Sequence, residues 1–362
     1  MTRILIMLDH RENRRLLAQL LEKHHYRVLL GDAPKALKQS FDLCIMDGPA
    51  LEHLRGWARS RKQAEHPVLL PFLLVTPRQG VELITRELWK TVDEAIVTPI
   101  EKAELLARVE ILLRTRLLSQ ENARLLHQLE QELVRAAEVQ SELLPRVLPA
   151  LPGFELAARC RPAREVGGDF YDWQEVAPDR ITLTLGDAMG KGMPAALLMA
   201  TVRAALRAVA PRHSPAAALE LVRGALEADL LHSSSFVTLL HAQLDVSTRR
   251  LWYVDAGHAH HFVRHADGRV EKLQPTCPAL GIPSYKRYIQ SEFVFQPGDL
   301  LVIYSDGLTD RQPEAALDHA ALAAALADCP SAQAVVDRLM QWGGAGDDQV
   351  DDVTALALLC RA

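Results

Sequence analysis

The stretch ITLTLGDAMGKGMPAALLMA, residues 181–200, decides the fold of the C-terminal half of the chain. Its first five residues are apolar or β-branched and predict a strand. A glycine-rich loop containing Asp187 follows, and a proline and an alanine- and leucine-rich run then predict a helix. A strand, a glycine loop and a helix in this order can hold a phosphate or a metal ion. The glycine spacing does not match a Walker motif.

Three further aspartates lie beside glycines or apolar runs. Asp169 follows two glycines in EVGGDFYD (165–172), Asp306 follows the apolar run Leu300–Tyr304, and Asp351 begins DDVT (351–354). A single one could be a turn residue. Four carboxylates that converge on one cleft repel each other unless cations lie between them, and oxygen ligands suit Mg²⁺ or Mn²⁺. The pattern therefore predicts a metal-dependent hydrolase site that handles phosphate.

The segment around these aspartates mixes short strands with a pair of helices. The helices are expected over Met193–Val209 and Pro215–Leu231. The strands are expected at Ile181–Leu185, Phe236–Leu244, Arg250–Val254, Leu300–Tyr304 and Val353–Leu359. Runs of strands interrupted by a helical pair predict an α+β layered fold for residues 147–362.

The N-terminal segment, residues 1–117, alternates strand and helix signals instead. The expected strands are Ile4–Leu8, Arg27–Leu30, Leu43–Met46, Leu69–Val75 and Ala95–Val97. Strand–helix alternation predicts an α/β domain with a doubly wound parallel sheet, whose ligand site lies at the carboxyl ends of the strands.

One long helix is predicted over residues 101–143, before Pro145. Its later part has heptad spacing at Leu118, Asn122, Leu125, Leu129, Glu132, Ala136, Val139 and Leu143. An Asn at a core position of a heptad is known to specify parallel dimers. We expect residues 118–146 to be a dimerising coiled-coil linker. An amphipathic helix packed on its own domain is the alternative.

Bulk composition excludes several classes of protein. The chain has 362 residues and a formal net charge of −5, so no overall electrostatic attraction to nucleic acid or anionic membrane is expected. Its five cysteines are scattered, which is typical of a reducing cytoplasm rather than of a disulfide framework or a zinc site. The N-terminal apolar stretch is too short for a signal peptide. We expect a cytoplasmic protein.

Residues 154–362 resemble the bacterial PPM-type serine/threonine protein phosphatases, the branch of the sporulation (SpoIIE-like) and general-stress phosphatases. The resemblance rests on PAREVGGDFYD (162–172), GDAMGKGMPAALLM (186–199), AGH (256–258), PGDLLVIYSDG (297–307) and DDVT (351–354). It implies a β-sandwich flanked by helices and hydrolysis of phosphoserine or phosphothreonine. It also implies that the helix ending at ELLP (142–145) is a regulatory segment.

The same resemblance implies a site with two Mn²⁺ or Mg²⁺ ions. Asp187 would bridge the ions, and Asp169 would hold one of them together with the backbone carbonyl of Ala188. Asp306 and Asp351 would hold the other, and a water between the ions would attack phosphorus.

Other residues of these motifs have less specific roles. Arg164 is a candidate phosphate-binding residue because a guanidinium can grip two phosphate oxygens. Asp172 and Asp352 are expected to support or cap the site rather than to bind metal. The family often has prolines after AGH, whereas this chain has Ala259-His260-His261, so His258 is either structural or catalytic.

Residues 1–117 resemble the receiver domain of two-component response regulators, a flavodoxin-like fold. Asp47 occupies the phosphoacceptor position after the third strand, Asp9 lies in the acidic metal pocket, where Mg²⁺ would bind, and Thr76 has the position of the switch hydroxyl.

This receiver-like segment departs from the pattern in its charges. Thr98 replaces the usual lysine, and Leu8 and His10 stand where acidic residues are common. Fewer carboxylates should weaken Mg²⁺ binding, which phosphoryl transfer to Asp47 requires. Either a histidine kinase phosphorylates Asp47 inefficiently, or the domain is a pseudo-receiver that responds to a partner protein or to dimerisation. Asp47 could also be an ordinary turn residue.

These features together predict a homodimeric signalling phosphatase with a receiver-like domain. The resemblance implies a phosphorylated protein substrate, a STAS-type anti-sigma-factor antagonist of a partner-switching pathway. An adaptor that sequesters such a partner without turnover is the alternative from another class of protein. A phosphatase for a small phosphorylated metabolite is a third.

Overall fold

The computed structural model describes residues 1–31, 36–77, 91–274, 276–283, 287–309, 319–343, 349 and 351–361. Its internal contacts divide the chain into two compact units, Met1–Gln131 and Glu132–Ala362. The boundary falls inside one long helix, so that each unit contains part of that helix.

The N-terminal unit is built on a five-stranded sheet. Its strands are β1 (Arg3–Met7), β2 (Arg27–Leu30), β3 (Leu43–Asp47), β4 (Phe72–Pro77) and β5 (Glu94–Thr98). Its helices are α1 (Arg11–Lys23), α2 (Gly48–Glu65) and the first part of α3 (Lys102–Leu143), with a 3₁₀ turn at Ala36–Lys38. All neighbouring strands pair in parallel in the order β2-β1-β3-β4-β5, which confirms the predicted parallel sheet.

Alternation of side chains along the strands places helices on both faces of this sheet. Ile4 and Ile6 point to the face covered by α1 and α3, whereas Leu5 and Met7 belong to the core under α2. Strand β4 begins at Phe72 rather than at the predicted Leu69, directly after Pro71, which has no N–H to donate to a neighbouring strand.

Helix α3 is buried only over its first turns. Leu105, Val109 and Leu113 pack on the N-terminal sheet, and Arg116 is the last buried residue of the helix. The Arg116 guanidinium donates to the Leu69 carbonyl at 2.7 Å and to Glu65 Oε2 at 3.0 Å. Beyond it, several large apolar side chains are exposed: Leu117, Leu118, Leu125, Leu126, Leu129, Val134 and Val139.

The C-terminal unit consists of two sheets and of helices outside them. Its strands are β6 (Phe154–Arg161), β7 (Asp169–Ala177), β8 (Arg180–Ala188), β9 (Val237–Asp245), β10 (Arg250–Ala256), β11 (His261–Arg264), β12 (Val270–Glu271), β13 (Thr276–Cys277), β14 (Ser291–Val294), β15 (Leu300–Tyr304) and β16 (Val353–Cys360). Its helices are α4 (Met193–Val209), α5 (Pro215–His232), α6 (His319–Ala325) and α7 (Ala332–Trp342), with 3₁₀ turns at Ala210–Arg212 and Asp306–Leu308.

The first sheet has the order β13-β10-β9-β8-β7, with β14 also paired to β10, and the second has the order β12-β11-β15-β16-β6. An apolar core to which both sheets contribute fills the space between them. Helices α4 and α5 cover the outer face of the first sheet, and α6 and α7 cover that of the second. The predicted α+β fold, a β-sandwich flanked by helices, is confirmed.

Among the described residues, one helical segment, Met193–Arg212, is long and apolar enough to cross a membrane. Its Met199, Val202 and Leu206 are buried against the first sheet and α5. These contacts are those of a core helix in a layered fold.

Candidate active site

Two of the four aspartates face each other across neighbouring strands. Asp169 is the first residue of β7 and pairs with Asp187 near the end of β8. Directly opposed residues of an antiparallel pair have Cβ atoms about 4.5–5.5 Å apart. Asp187 lies within the strand, which continues to Ala188, and not in the glycine loop that follows. Two like charges at this separation destabilise the sheet unless a cation lies between them.

The other two aspartates come from the second sheet. Asp306 follows β15 and Asp351 precedes β16, and these two strands are antiparallel neighbours. The Ser305 N–H donates to the Thr354 carbonyl at 2.9 Å, and the Thr354 N–H donates to Ser305 Oγ at 2.9 Å. These bonds hold the strand ends together, so that both carboxylates reach the same end of the sandwich.

Asp187, Asp306 and Asp351 line one cavity of about 340 Å³. Asp169 is not part of its wall, because only 3% of the residue is exposed. The remaining wall is formed by Met189, Gly190, Lys191, Phe236, Thr238, Gly257, His258 and His260. The structure thus brings three of the predicted metal ligands to one cavity and places the fourth beside Asp187.

Asp352 organises the backbone next to this cavity. Its Oδ1 accepts the Ala163 N–H at 2.8 Å, and its Oδ2 accepts the N–H groups of Gly168 at 2.7 Å and Asp169 at 3.3 Å. One carboxylate therefore fixes the loop before β7 to the start of β16. This agrees with the expectation that Asp352 supports the site.

Gly168 allows the two strands of the first sheet to approach closely at the site. A Cβ on Gly168 would collide with the Ala188 carbonyl oxygen. The Ala188 N–H donates to the Gly168 carbonyl at 3.2 Å. The close approach keeps the Ala188 carbonyl next to Asp169, as a shared ligand role for the two groups requires.

The carboxylates are held in an environment that resists their negative charge. Burial raises the pKa of Asp187 to about 7, and the charges of Asp306 and Asp351 add to the effect. Burial, followed by the charge of Asp187, raises the pKa of Asp169 well above its usual value. Asp169 Oδ2 is buried and has no hydrogen-bond partner in the part of the chain that the structure describes. Lys191 Nζ lies 2.7 Å from Asp351 Oδ2 and offsets part of the charge.

These donors fit hydrated divalent cations. Within the described ranges, no three His, Cys, Asp or Glu residues are close enough to hold one ion by themselves. Mg²⁺ binds to proteins through one or two carboxylates and keeps several water ligands. The Asp169 and Asp187 carboxylates, the first of which has a buried oxygen without a hydrogen-bond partner among the described residues, and the Ala188 carbonyl suit such an ion better than they suit a fully dehydrated one.

His258 has a structural environment. Its Nε2 lies 2.8 Å from the Tyr304 carbonyl oxygen, and its backbone N–H donates to Asp255 Oδ1 at 2.8 Å. Burial, with the nearby His260 and His261, lowers the pKa of His258 to about 3. The imidazole is therefore neutral at pH 7, and its Nε2–H donates to the Tyr304 carbonyl. This hydrogen bond joins the AGH turn to the end of β15.

Two more residues of the motifs are placed beside the site. Arg164 is exposed, and its guanidinium lies next to Gly192 of the glycine loop, outside the cavity wall. Asp172 accepts hydrogen bonds from Arg203 at 3.2 Å and from Arg207 at 2.7 Å, so it anchors α4 to β7.

Gln140, near the end of α3, is a contact that the sequence pattern did not reveal. Its Nε2 donates to the Gly167 carbonyl at 2.6 Å, and its Oε1 accepts the Gly167 N–H at 3.1 Å. Gly167 packs against the Asp352 carboxylate that holds the loop before Asp169. Gln140 lies within the predicted helix, and no local sequence signal distinguishes it from the other polar residues there.

The N-terminal candidate residues lie at the carboxyl ends of the parallel strands. Asp47 caps α2: its Oδ1 accepts the Ala50 N–H at 3.0 Å, and its Oδ2 accepts the Asp9 N–H at 2.6 Å. Thr76 is buried in β4, and its hydroxyl donates to the Pro77 carbonyl at 3.4 Å. Asp9 and Asp47 are thus brought together, whereas the hydrogen bond of Thr76 is to its own strand.

The cavity next to Asp47 is largely apolar. It has a volume of about 1020 Å³, and Leu8 and Thr98 belong to its wall. Most of the other wall residues are apolar, among them Leu16, Leu17, Leu20, Val75, Pro77, Pro99, Ile100 and Leu105. Leu8 and Thr98, which replace an expected acidic and an expected basic group, therefore face a space poorly suited to Mg²⁺.

Comparison with known proteins places the C-terminal unit in a family. The sequence profile of the family Stage II sporulation protein E (SpoIIE) matches residues 177–361, which include Asp187, Asp306 and Asp351. The SiaA-PP2C domain of Pseudomonas aeruginosa is a similar solved structure, with 25% identity and a TM-score of 0.54. The match covers 65% of this chain and 98% of that domain.

Two relatives extend the comparison. Phosphoserine phosphatase RsbU of Bacillus subtilis is 25% identical over 260 residues, 70% of this chain and 74% of RsbU. Protein IcfG of Synechocystis is 28% identical over 206 residues, 49% of this chain, and the match spans about a third (32%) of IcfG. With the sandwich fold and the four aspartates at one end of it, these matches show that the chain belongs to the SpoIIE family and carries a PPM-type phosphatase domain.

Proposed function

We propose that the protein is a Mn²⁺- or Mg²⁺-dependent serine/threonine protein phosphatase. The observation that carries this proposal is the convergence of aspartates from both sheets on one cavity, where the pKa of Asp187 is raised to about 7. A carboxylate cluster that resists ionisation is stabilised by divalent cations, and phosphate esters are hydrolysed at pairs of such cations.

The residues would share the work as follows. Asp187, which faces Asp169 and shares the cavity with Asp306 and Asp351, would serve both cations. Asp169 and the Ala188 carbonyl would hold one of them, and Asp306 and Asp351 the other. Bound cations would lower the pKa of water and draw negative charge from the phosphoryl oxygens. The carboxylates would orient the ions, and the strands that carry or adjoin these aspartates limit the movement of the side chains.

Basic residues at the entrance would handle the phosphate. Arg164 is exposed next to Gly192 and would donate two hydrogen bonds to the phosphoryl group of a bound substrate. Lys191 pairs with Asp351 and supplies a second positive charge at the cavity wall. Both positive charges favour binding of the phosphorylated side chain over binding of the uncharged serine or threonine that hydrolysis leaves.

The substrate we propose is a phosphoserine or phosphothreonine on a STAS-type anti-sigma-factor antagonist in a partner-switching pathway. Support comes from RsbU, a phosphoserine phosphatase whose sequence aligns with 70% of this chain. A sequestering adaptor, in contrast, has no need of buried, mutually repelling carboxylates, since each of them reduces stability unless metal is bound.

For regulation, we propose that α3 controls the site through Gln140. This side chain holds Gly167 by two hydrogen bonds, and Gly167 lies two residues before Asp169, which we propose as a metal ligand. A rotation or shift of the helix end would remove these bonds. The loop that carries Asp169 would then be held by Asp352 alone among the side chains described above.

The N-terminal unit would act as an atypical receiver-like domain. Asp47 already accepts two backbone hydrogen bonds, and the adjoining cavity is apolar. We therefore favour regulation by a partner protein or by dimerisation over phosphorylation of Asp47 by a histidine kinase. Treatment with acetyl phosphate and Mg²⁺ tests this: modification of the wild type but not of Asp47→Asn would contradict it.

The dimer would form along α3, where large apolar side chains are exposed over the predicted linker, residues 118–146. Isolated long helices are poorly stable in water, and burial of an apolar face against a second copy stabilises them.

The test of the phosphatase is hydrolysis of p-nitrophenyl phosphate with Mn²⁺, with EDTA, and with the variant Asp187→Ala. We expect activity that requires Mn²⁺ and is lost in the variant. Asp267→Ala, at an exposed turn of the same unit, is the matched control and should retain activity. Full activity in EDTA or in Asp187→Ala would contradict the proposal.

A further inference from the structure

Three large apolar side chains are exposed on adjoining segments, and two of them, Met189 and Phe236, line the cavity that contains Asp187. The exposed fraction is 45% for Met189, 38% for Phe236 and 38% for Ile282. We call these three residues the apolar rim. Single exposed apolar side chains are common on protein surfaces, but groups of them on adjoining segments mark binding surfaces.

The backbone holds the segments of the apolar rim together. The Met189 N–H donates to the Phe236 carbonyl at 3.0 Å. One residue further on, Val237 and Leu280 exchange both of their backbone hydrogen bonds, at 2.8 and 2.9 Å. Gly281, which precedes Ile282, lies against the Phe236 backbone so closely that a Cβ would approach it to 3.1 Å. The rim is therefore a fixed surface rather than three independent loops.

The apolar rim is continuous with the acidic site. Met189 and Phe236 belong to the wall of the same cavity as Asp187, Asp306 and Asp351. Lys191 adds a positive charge two residues from Met189. The apolar side chains of the rim offer no hydrogen-bond donor to a phosphate, so the rim is suited to the group that carries the phosphate. A cavity of this size is at the small end of ligand pockets and admits a phosphorylated side chain rather than a large cofactor.

We propose that the apolar rim is a docking surface for the protein substrate and binds an apolar side chain next to the phosphorylated serine or threonine. This rests on the phosphatase function proposed above and adds a preference for sequence. The apolar neighbour would be removed from water against Met189 and Phe236 while the phosphate enters the cavity. Contacts of this kind change kcat/KM by about tenfold or more for each well-buried group.

Two synthetic phosphoserine peptides of equal length and charge provide the test, one with leucine on both sides of the phosphoserine and one with serine there. Phosphate release with Mn²⁺ is measured for the wild type, for Phe236→Ala and for Met189→Ala. Val294→Ala is the control, because it removes a similarly exposed apolar side chain at the end of β14, outside the wall of the cavity. The readout is the ratio of kcat/KM between the two peptides within each variant.

We expect the wild type and Val294→Ala to prefer the leucine peptide by about tenfold, and each rim variant to lose most of that preference. Equal rates on the two peptides in the wild type, or an unchanged ratio in both rim variants, would overturn the docking proposal and leave the phosphatase intact. If the rim variants had a lower molar mass in solution than the wild type but kept its ratio of kcat/KM between the peptides, the rim would be a surface for self-association. That result would also overturn the docking proposal. Lack of any Mn²⁺-dependent release would refute the phosphatase and the rim together.

Discussion

At the scale of single residues, the chemistry depends on how Asp187 is placed. It faces Asp169 across β7 and β8 and shares a cavity with Asp306 and Asp351. The raised pKa values of Asp169 and Asp187 are caused first by burial and then by neighbouring carboxylates. Near neutral pH, these carboxyl groups would therefore release protons when divalent cations bind.

This arrangement predicts how stability depends on pH. A carboxyl group whose pKa is raised on folding favours the folded state below its unfolded pKa of about 4 and loses that contribution as pH rises. For Asp187, whose folded pKa is about 7, we expect the metal-free protein to lose stability between pH 4 and 7. Addition of Mn²⁺ should restore more stability at pH 7.5 than at pH 5.

Thermal unfolding in EDTA and in Mn²⁺, recorded over that pH range, checks this prediction. Asp187→Asn cannot ionise at this position, so its stability should decrease less between pH 4 and 7 than that of the wild type. A variant with the same pH dependence as the wild type would show that Asp187 does not carry the unfavourable charge.

At the scale of elements, the end of α3 is the part of the structure best placed to control the site. Gln140 makes two hydrogen bonds with Gly167, and each is expected to contribute about 1 kcal/mol. We predict that Gln140→Ala weakens Mn²⁺ binding by roughly fivefold or more, since the Asp169 loop is held less firmly.

Calorimetric titration with Mn²⁺ measures this effect independently of turnover. Gln140→Glu keeps an acceptor for the Gly167 N–H but has no donor for its carbonyl, so it should give an intermediate or similar loss. Glu138→Ala, on the exposed side of the same helix, is the control and should bind Mn²⁺ like the wild type. If Gln140→Ala bound Mn²⁺ with the affinity of the wild type, α3 would not control the site through Gln140.

The elements that the sequence revealed are those with uniform apolar patterns. Strand β15 lies over Leu300–Tyr304 and α4 over Met193–Val209, as predicted. Strands β6 and β7 were not predicted, because polar and charged residues such as Arg159 and Glu175 interrupt their alternation. Strand β6 pairs with β16, which lies far along the chain, and β7 pairs with β8 in a register that a local pattern does not show.

The candidate site, like the fold, was predicted only in part from the sequence. The glycine-flanked aspartates were visible because each lies at the end of a strand. The supporting contacts were not visible, because Gln140 and Gly167 are 27 residues apart and Asp352 and Gly168 are 184 apart. Contacts between residues so far apart in the sequence depend on the topology of the fold, and no local sequence pattern predicts them.

At the scale of the whole molecule, α3 is the one described element shared by both units. Its exposed Leu125 and Leu129 belong to the predicted heptad, and we expect the protein to be a dimer through this face. The double variant Leu125→Lys, Leu129→Lys should be a monomer, because charges in a coiled-coil core are costly to bury.

Analytical ultracentrifugation of the full chain determines the oligomeric state. Leu221→Lys, which places the same charge on the exposed face of α5, serves as the control and should leave the dimer intact. A monomeric wild type, or a dimer that survives both lysines, would contradict a dimer built on α3.

If the four aspartates form a site for divalent cations, the number of Mn²⁺ ions that the protein binds depends on them. The measurement is equilibrium binding of Mn²⁺ to the full chain at pH 7.5, for the wild type, Asp187→Asn and the control Asp267→Asn. We predict that the wild type and the control bind two more ions tightly than Asp187→Asn does. Equal numbers of tightly bound ions in the wild type and in Asp187→Asn would contradict a cation site that contains Asp187.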